Sequence, residues 1–181
     1  MRRIVLTLSV GLLVPATIGA QAGGTAANPI SRAITQQWES AKKNLLASAD
    51  QMPEADYSFK PVATVRSFGA VIAHVAGANY EFCSAALGEK SPHAEDEYEK
   101  SATTKAAIAK ALRESVAYCD KAYAGLTDQK AAEMVRSPFG TQQSPRAEAL
   151  MGNTGHVQEH YGNLVTYFRI KGMVPPSSRG Q

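Results

Sequence analysis

The chain has two cysteines, four histidines and one tryptophan among its 181 residues. Its longest apolar run, Ile4 to Val14, is eleven residues, well short of the about 20 that a membrane-spanning helix needs. Charge of one sign is scarce: 19 basic and 16 acidic residues leave a formal +3. No basic stretch interleaved with aromatics appears, so nothing here is built for nucleic acid. There is no strand-like alternation, no repeat of 20–50 residues and no low-complexity tract. A Ser-His-Asp nucleophile set, a glycine-rich phosphate loop and an H-E-x-x-H helix are all missing. What remains is ordinary globular material, 44% hydrophobic and long enough for one domain with a real core.

Two of the positive charges, Arg2 and Arg3, belong to "MRRIVLTLSVGLLVPATIGAQA". A basic start, a short apolar run, Pro15 and then small residues are the plan of a secretory leader. Ala20-Gln21-Ala22 offers a cleavage site and Ile18-Gly19-Ala20 a second. No cysteine follows the run, so lipoprotein processing is not indicated. Residues 1–22 are read as the signal peptide, 23–28 as a flexible N-terminus and 29–178 as the folded domain. The expected location is the periplasm or the medium, with no membrane anchor after processing. The mature chain would carry 17 basic and 16 acidic residues.

The mature sequence reads as helices. Asn28 and Pro29 open the first as N-cap and first residue. Ile30, Ile34, Trp38, Ala41, Leu45 and Ala49 then recur at helical spacing before Pro53. Ser67 caps the second and Gly88 ends it, with Phe68, Val71, Val75, Ala78 and Phe82 on its apolar face. A polar stretch of about 15 residues follows, longer than the two to eight usual in a helix hairpin. Such a link lets the third helix run parallel to the second. Ile108, Leu112, Val116, Cys119 and Tyr123 mark that third helix. The segment from Thr127 to Gln143 looks irregular, with a turn near Pro138 to Gly140. Ser144 and Pro145 open the last helix, and Gly172 with Pro175-Pro176 close it. Its inward set is Ala149, Asn153, His156, His160, Leu164 and Tyr167. Four amphipathic helices make an all-α four-helix bundle.

Two polar features stand out against that plan. An exported chain with two cysteines invites a disulfide between Cys83 and Cys119. Each lies 16 residues beyond the start of its helix, Ser67 or Thr103, so parallel helices place them at one height. The other reading is two small buried hydrophobes. The second feature is His156 and His160, four residues apart on one helix face. Two imidazoles so placed can share one cation, and inward-facing His74 is the natural third donor. His93 sits in the polar link and is expected to face water. An HxxxH pair also arises on solvated faces, and a lone histidine on an apolar face is commonly a hydrogen-bonded core residue. Glycines flank all three positions: Gly69, Gly77, Gly152, Gly155 and Gly162. They suggest close helix approach or an open cavity. Glu159, next to His160, is a candidate to support a ligand or move a proton, or else a surface carboxylate. Asn79 and Tyr161 are further candidate helpers.

Three stretches, "RSFGAVIAHVAGANYEFCSAALG", "TTKAAIAKALRESVAYCD" and "HVQEHYGNLVTYFRIKGMVPPSS", resemble the DinB/YfiT-like family of metal-binding four-helix bundles. The resemblance implies an up-down-down-up bundle with a long crossover between helices two and three. It implies metal ligands at His74, His156 and His160. Zinc or nickel would be the first candidates, with iron as a third. Some relatives are thiol-dependent transferases or isomerases acting in the cytosol, a setting from which the leader departs. The expected function is a metal-dependent enzyme of hydrolase or transferase type, with a small-molecule substrate and open coordination positions. A homodimer is compatible with this reading. The alternatives are a non-catalytic metal-binding or stress-response bundle, or a structural bundle with buried histidines.

Overall fold

The structure, a computed structural model, describes residues 27–179; the leader reading falls outside them. Four long helices carry the fold: α1 (Pro29–Gln51), α2 (Phe68–Leu87), α4 (Lys105–Tyr123) and α6 (Arg146–Ile170). Short helices lie between them, α3 (Glu97–Ser101) in the crossover and α5 (Asp128–Ala132) ahead of a hairpin of β1 (Met134–Arg136) and β2 (Gln143–Pro145). Among the described residues no helix is long and apolar enough to cross a membrane.

Side-chain pairs fix the helix directions. Ile108 approaches Gly69, Ser115 bonds Asn79 and Cys119 faces Cys83, so α2 and α4 run parallel. Phe168 meets Phe68 and Gly152 meets Phe82, so α6 runs against α2. Asp120 accepts from Trp38 and Arg113 donates to Asp50, so α1 runs against α4. The order is therefore up, down, down, up. α2 is the centre: alanine and glycine occupy much of it, and it is buried on nearly every side. Trp38, fully buried, stacks on Tyr123 at 4.9 Å and 5°, tying α1 to α4. Cys83 and Cys119 stand at disulfide distance, with Cα atoms 5.2 Å apart.

Several local expectations meet their structures. The Ser67 hydroxyl accepts from Ala70 N–H at 3.3 Å, and Gly88 and Gly172 end their helices at φ 77° and 70°. Others are overridden. Asn28 is left-handed and its side chain caps nothing in α1. Instead Asp128 reaches across from α5 and accepts from Ser31 N–H at 2.8 Å and Ile30 N–H at 3.4 Å. Asn28 Oδ1 accepts from Asp128 N–H in return, at 3.1 Å. Ile30, placed on the apolar stripe by its spacing, is exposed, and Ser31 and Ile34 are the first buried residues of α1. Ser144 does not cap α6; it pairs with Val135 in the hairpin, and the helix starts after Pro145. The hairpin was not expected. Its strands are three residues each, too short for alternation to register.

Candidate metal centre

His74 lies midway along α2, and His156 and His160 lie one turn apart on α6. Because α6 runs against α2, their faces meet and three rings converge. His74 Nε2 is 3.2 Å from His156 Nε2, and His160 Nε2 is 3.1 Å from the same atom. The three ligand nitrogens all lie within 4.8 Å of one another. His74 and His160 are each 9% exposed; His156 is more open to solvent. Phe82 packs against the His156 ring at 5.7 Å and also meets Phe139 of the hairpin tip at 5.0 Å.

Proton counting says what such a cluster wants. A neutral imidazole has one N–H. The Glu99 carboxylate, at 3.0 Å from His74 Nδ1, can only accept, so it draws the His74 proton to Nδ1. His74 Nε2 then presents a lone pair to the cluster. His156 Nε2 faces two neighbours and can donate well to one at most. If it donates, the buried Nδ1 of His156, which has no hydrogen-bond partner among the described residues, becomes a stranded acceptor. A cation at the convergence relieves the crowding of the three Nε2 atoms by taking their lone pairs, and leaves the His156 proton on Nδ1. The spacing suits one: ligands at about 2.0–2.1 Å from a metal are roughly 2.9 Å apart at a right angle and roughly 3.4 Å apart at the tetrahedral angle.

Electrostatics point the same way. Burial pushes the His156 pKa down to about 3, and the repulsion that protonated His160 or His74 would exert, with that of Arg66, adds to it. Burial and His74 lower that of His160 as well. Both imidazoles are thus held neutral, the form that ligates.

The crossover supplies what the sequence reading missed. Glu99, on α3, meets His74 on one oxygen and the Arg66 guanidinium at 2.9 and 3.3 Å. Its polar run "DEYEK" looked like a solvated link, and only the folded chain brings it over α2. The other candidates fall elsewhere. Glu159 is on the exposed side of α6. Asn79 is fully buried and donates to Ser115 Oγ at 3.0 Å. The Tyr161 hydroxyl accepts from Ser177 N–H at 2.8 Å. His93 does not simply face water: it is half-buried, tilted against Tyr80 at 4.6 Å, with Nδ1 3.0 Å from a Glu97 oxygen. It lies outside the three-histidine cluster. Of the flanking glycines, Gly77 has the strictest reason: a Cβ there would sit 1.8 Å from the Glu95 carbonyl oxygen. Gly155 and Gly162 face open space. A cavity of about 760 Å³ opens between the end of α2, the crossover and the hairpin. His93, Lys90 and Arg136 line it, and none of the three clustered histidines does.

The model of the DinB superfamily matches residues 37–164, which spans α1 to α6 and all three histidines. The chain belongs to the DinB superfamily. No curated protein matches it. Similar solved structures include a DinB-like protein from Bacillus cereus, with TM-score 0.67 and 18% identity over 80% of this chain and 95% of that one. A DinB-like protein from Bacillus subtilis has TM-score 0.59 and 20% identity over 82% and 99%. A mycothiol-dependent maleylpyruvate isomerase has TM-score 0.61 and 19% identity over 74% of this chain. The DinB-like chain spans 60% of that isomerase's length. At these identities the likeness is one of fold.

Proposed function

We propose that this DinB-superfamily protein is exported and binds one divalent metal ion through His74, His156 and His160, and that the loaded centre catalyses a hydrolysis or group transfer on a small molecule. The observation that carries the reading is the convergence of three Nε2 atoms on one point, with contacts of 3.1 and 3.2 Å. A divalent ion held by three imidazoles supplies Lewis acidity and open coordination positions. The chain's own residues do the rest. The three rings hold the ion, Phe82 walls one side of His156, and Arg66 keeps positive charge at the edge of the site. Zinc and nickel suit an all-imidazole set, as does iron. The similarity to an isomerase supports an enzyme, while its thiol remains a property of that protein.

A second reading, metal binding without turnover, draws on one observation. Among the described carboxylates near the cluster, Glu99 is engaged by His74 and Arg66 and Glu159 is exposed, so no free general base stands over the rings. A panel of ester, amide, phosphoester and thiol-transfer substrates, run on zinc-, nickel- and iron-loaded protein with and without chelator, separates the two. Turnover that chelation abolishes and the metal restores is expected. Bound metal with no chelator-sensitive turnover across the panel would favour the second reading.

A further inference from the structure

We infer that Glu99 is a positioning residue, held over α2 by the crossover, which fixes His74 as the Nδ1–H tautomer and so sets the affinity of the centre. The inference rests on the metal reading above and extends it from the ligands to the segment that orients them.

Three observations build the case. The first is how the crossover reaches the site. It passes so close to α2 that the Glu95 carbonyl occupies the space a Cβ at position 77 would need. Gly77 lies three residues from His74, so that close approach sets α3 down beside the ligand. The second is the division of the Glu99 carboxylate. Oε1 takes His74 Nδ1 at 3.0 Å and Arg66 Nη2 at 3.3 Å, while Oε2 takes Arg66 Nε at 2.9 Å. An ionised carboxylate offers acceptors only, so the bond to His74 is made by Nδ1–H and leaves Nε2 free to ligate. The third is the support behind Arg66. Its backbone carbonyl accepts from the Tyr167 hydroxyl at 2.7 Å, and Tyr167 is on α6, the helix that carries the other two histidines. The link between α1 and α2, the crossover, α2 and α6 thus close on one imidazole.

The arrangement is not explained as a contribution to stability. Arg66 and Glu99 side chains are 45% and 22% exposed, and ion pairs so open to water add little. A carboxylate accepting the outer N–H of a ligand imidazole fixes its orientation and raises its basicity. Removing such a partner typically weakens metal binding about 10–100-fold.

The test uses full-length mature protein without a histidine tag. Zinc affinity is measured by chelator competition for wild type, Glu99→Ala and Gly77→Ala, and imidazole ¹⁵N NMR of the metal-free proteins reports the His74 tautomer. Glu99→Ala should raise the zinc Kd by about 10–100-fold with little change in the melting temperature of the metal-free protein. It should also lose the dominant Nδ1–H form of His74. Gly77→Ala, which touches no ligand, should weaken zinc in the same direction by displacing the crossover. A Glu99→Ala Kd within about two-fold of wild type would overturn the inference. If wild type itself binds no zinc, nickel or iron, the metal reading fails, and the tautomer still decides the role of Glu99. Its persistence in Glu99→Ala refutes the positioning, and its loss supports it.

Discussion

His156 occupies the middle of the cluster, with its Nε2 between two other Nε2 atoms and its Nδ1 buried with no hydrogen-bond partner among the described residues. Its pKa is pushed down to about 3, and that of His160 is lowered too, burial being the main cause in each case. In the unfolded chain both titrate near 6.5. The unfolded chain therefore binds more protons below that pH, and stability must fall as pH falls from about 6.5 toward about 3. We expect the melting temperature of the metal-free protein to drop across this window and to drop less in the His156→Ala/His160→Ala variant. Parallel profiles for the two proteins would contradict the buried-neutral assignment. The pair was legible because four residues is one helical turn, and His74 because its neighbours Val71, Val75 and Ala78 mark an inward face. Glu99 was not, because its partner lies 25 residues away and its own surroundings are polar.

Helix ends repeat that contrast between local and distant causes. Ser67, Gly88 and Gly172 act through bonds and backbone angles within their own turn, so sequence alone announces them. The start of α1 depends instead on Asp128, 97 residues from Ser31, and no local pattern could point there. The α2–α4 pair was reached by counting heights along parallel helices, and the structure sets Cys83 and Cys119 at disulfide distance. A bond there closes a loop with sequence separation 36 and should stabilise the fold by about 2–4 kcal/mol. Mass spectrometry of protein from the native host should find the terminus at Gln21 or Gly23 and a mass two hydrogens short of the dithiol form. Denaturant unfolding after reduction should lose stability of that size. Two free thiols in that protein, or an unfolding midpoint indifferent to reductant, would contradict the pairing. An intact Met1 terminus would contradict export.

At the scale of the whole molecule the bundle is a frame that brings one face of α2 and one face of α6 together, while the crossover closes over the outside. The long link read from composition is what permits α2 and α4 to run parallel, and the same link carries Glu99 to His74. Metal that binds only this assembled state stabilises it by mass action, about 2.7 kcal/mol at 100 times the dissociation constant. Chelation should therefore lower the melting temperature of wild type and leave the His74→Ala/His156→Ala/His160→Ala variant almost unmoved. The most direct test is metal stoichiometry on tag-free mature protein reconstituted with zinc, nickel and iron in turn. One ion per chain is expected with at least one of these metals, retained by His93→Ala and lost from the triple variant. Near-zero metal in wild type with all three would return the histidines to the role of buried core residues, and the proposed enzyme with them.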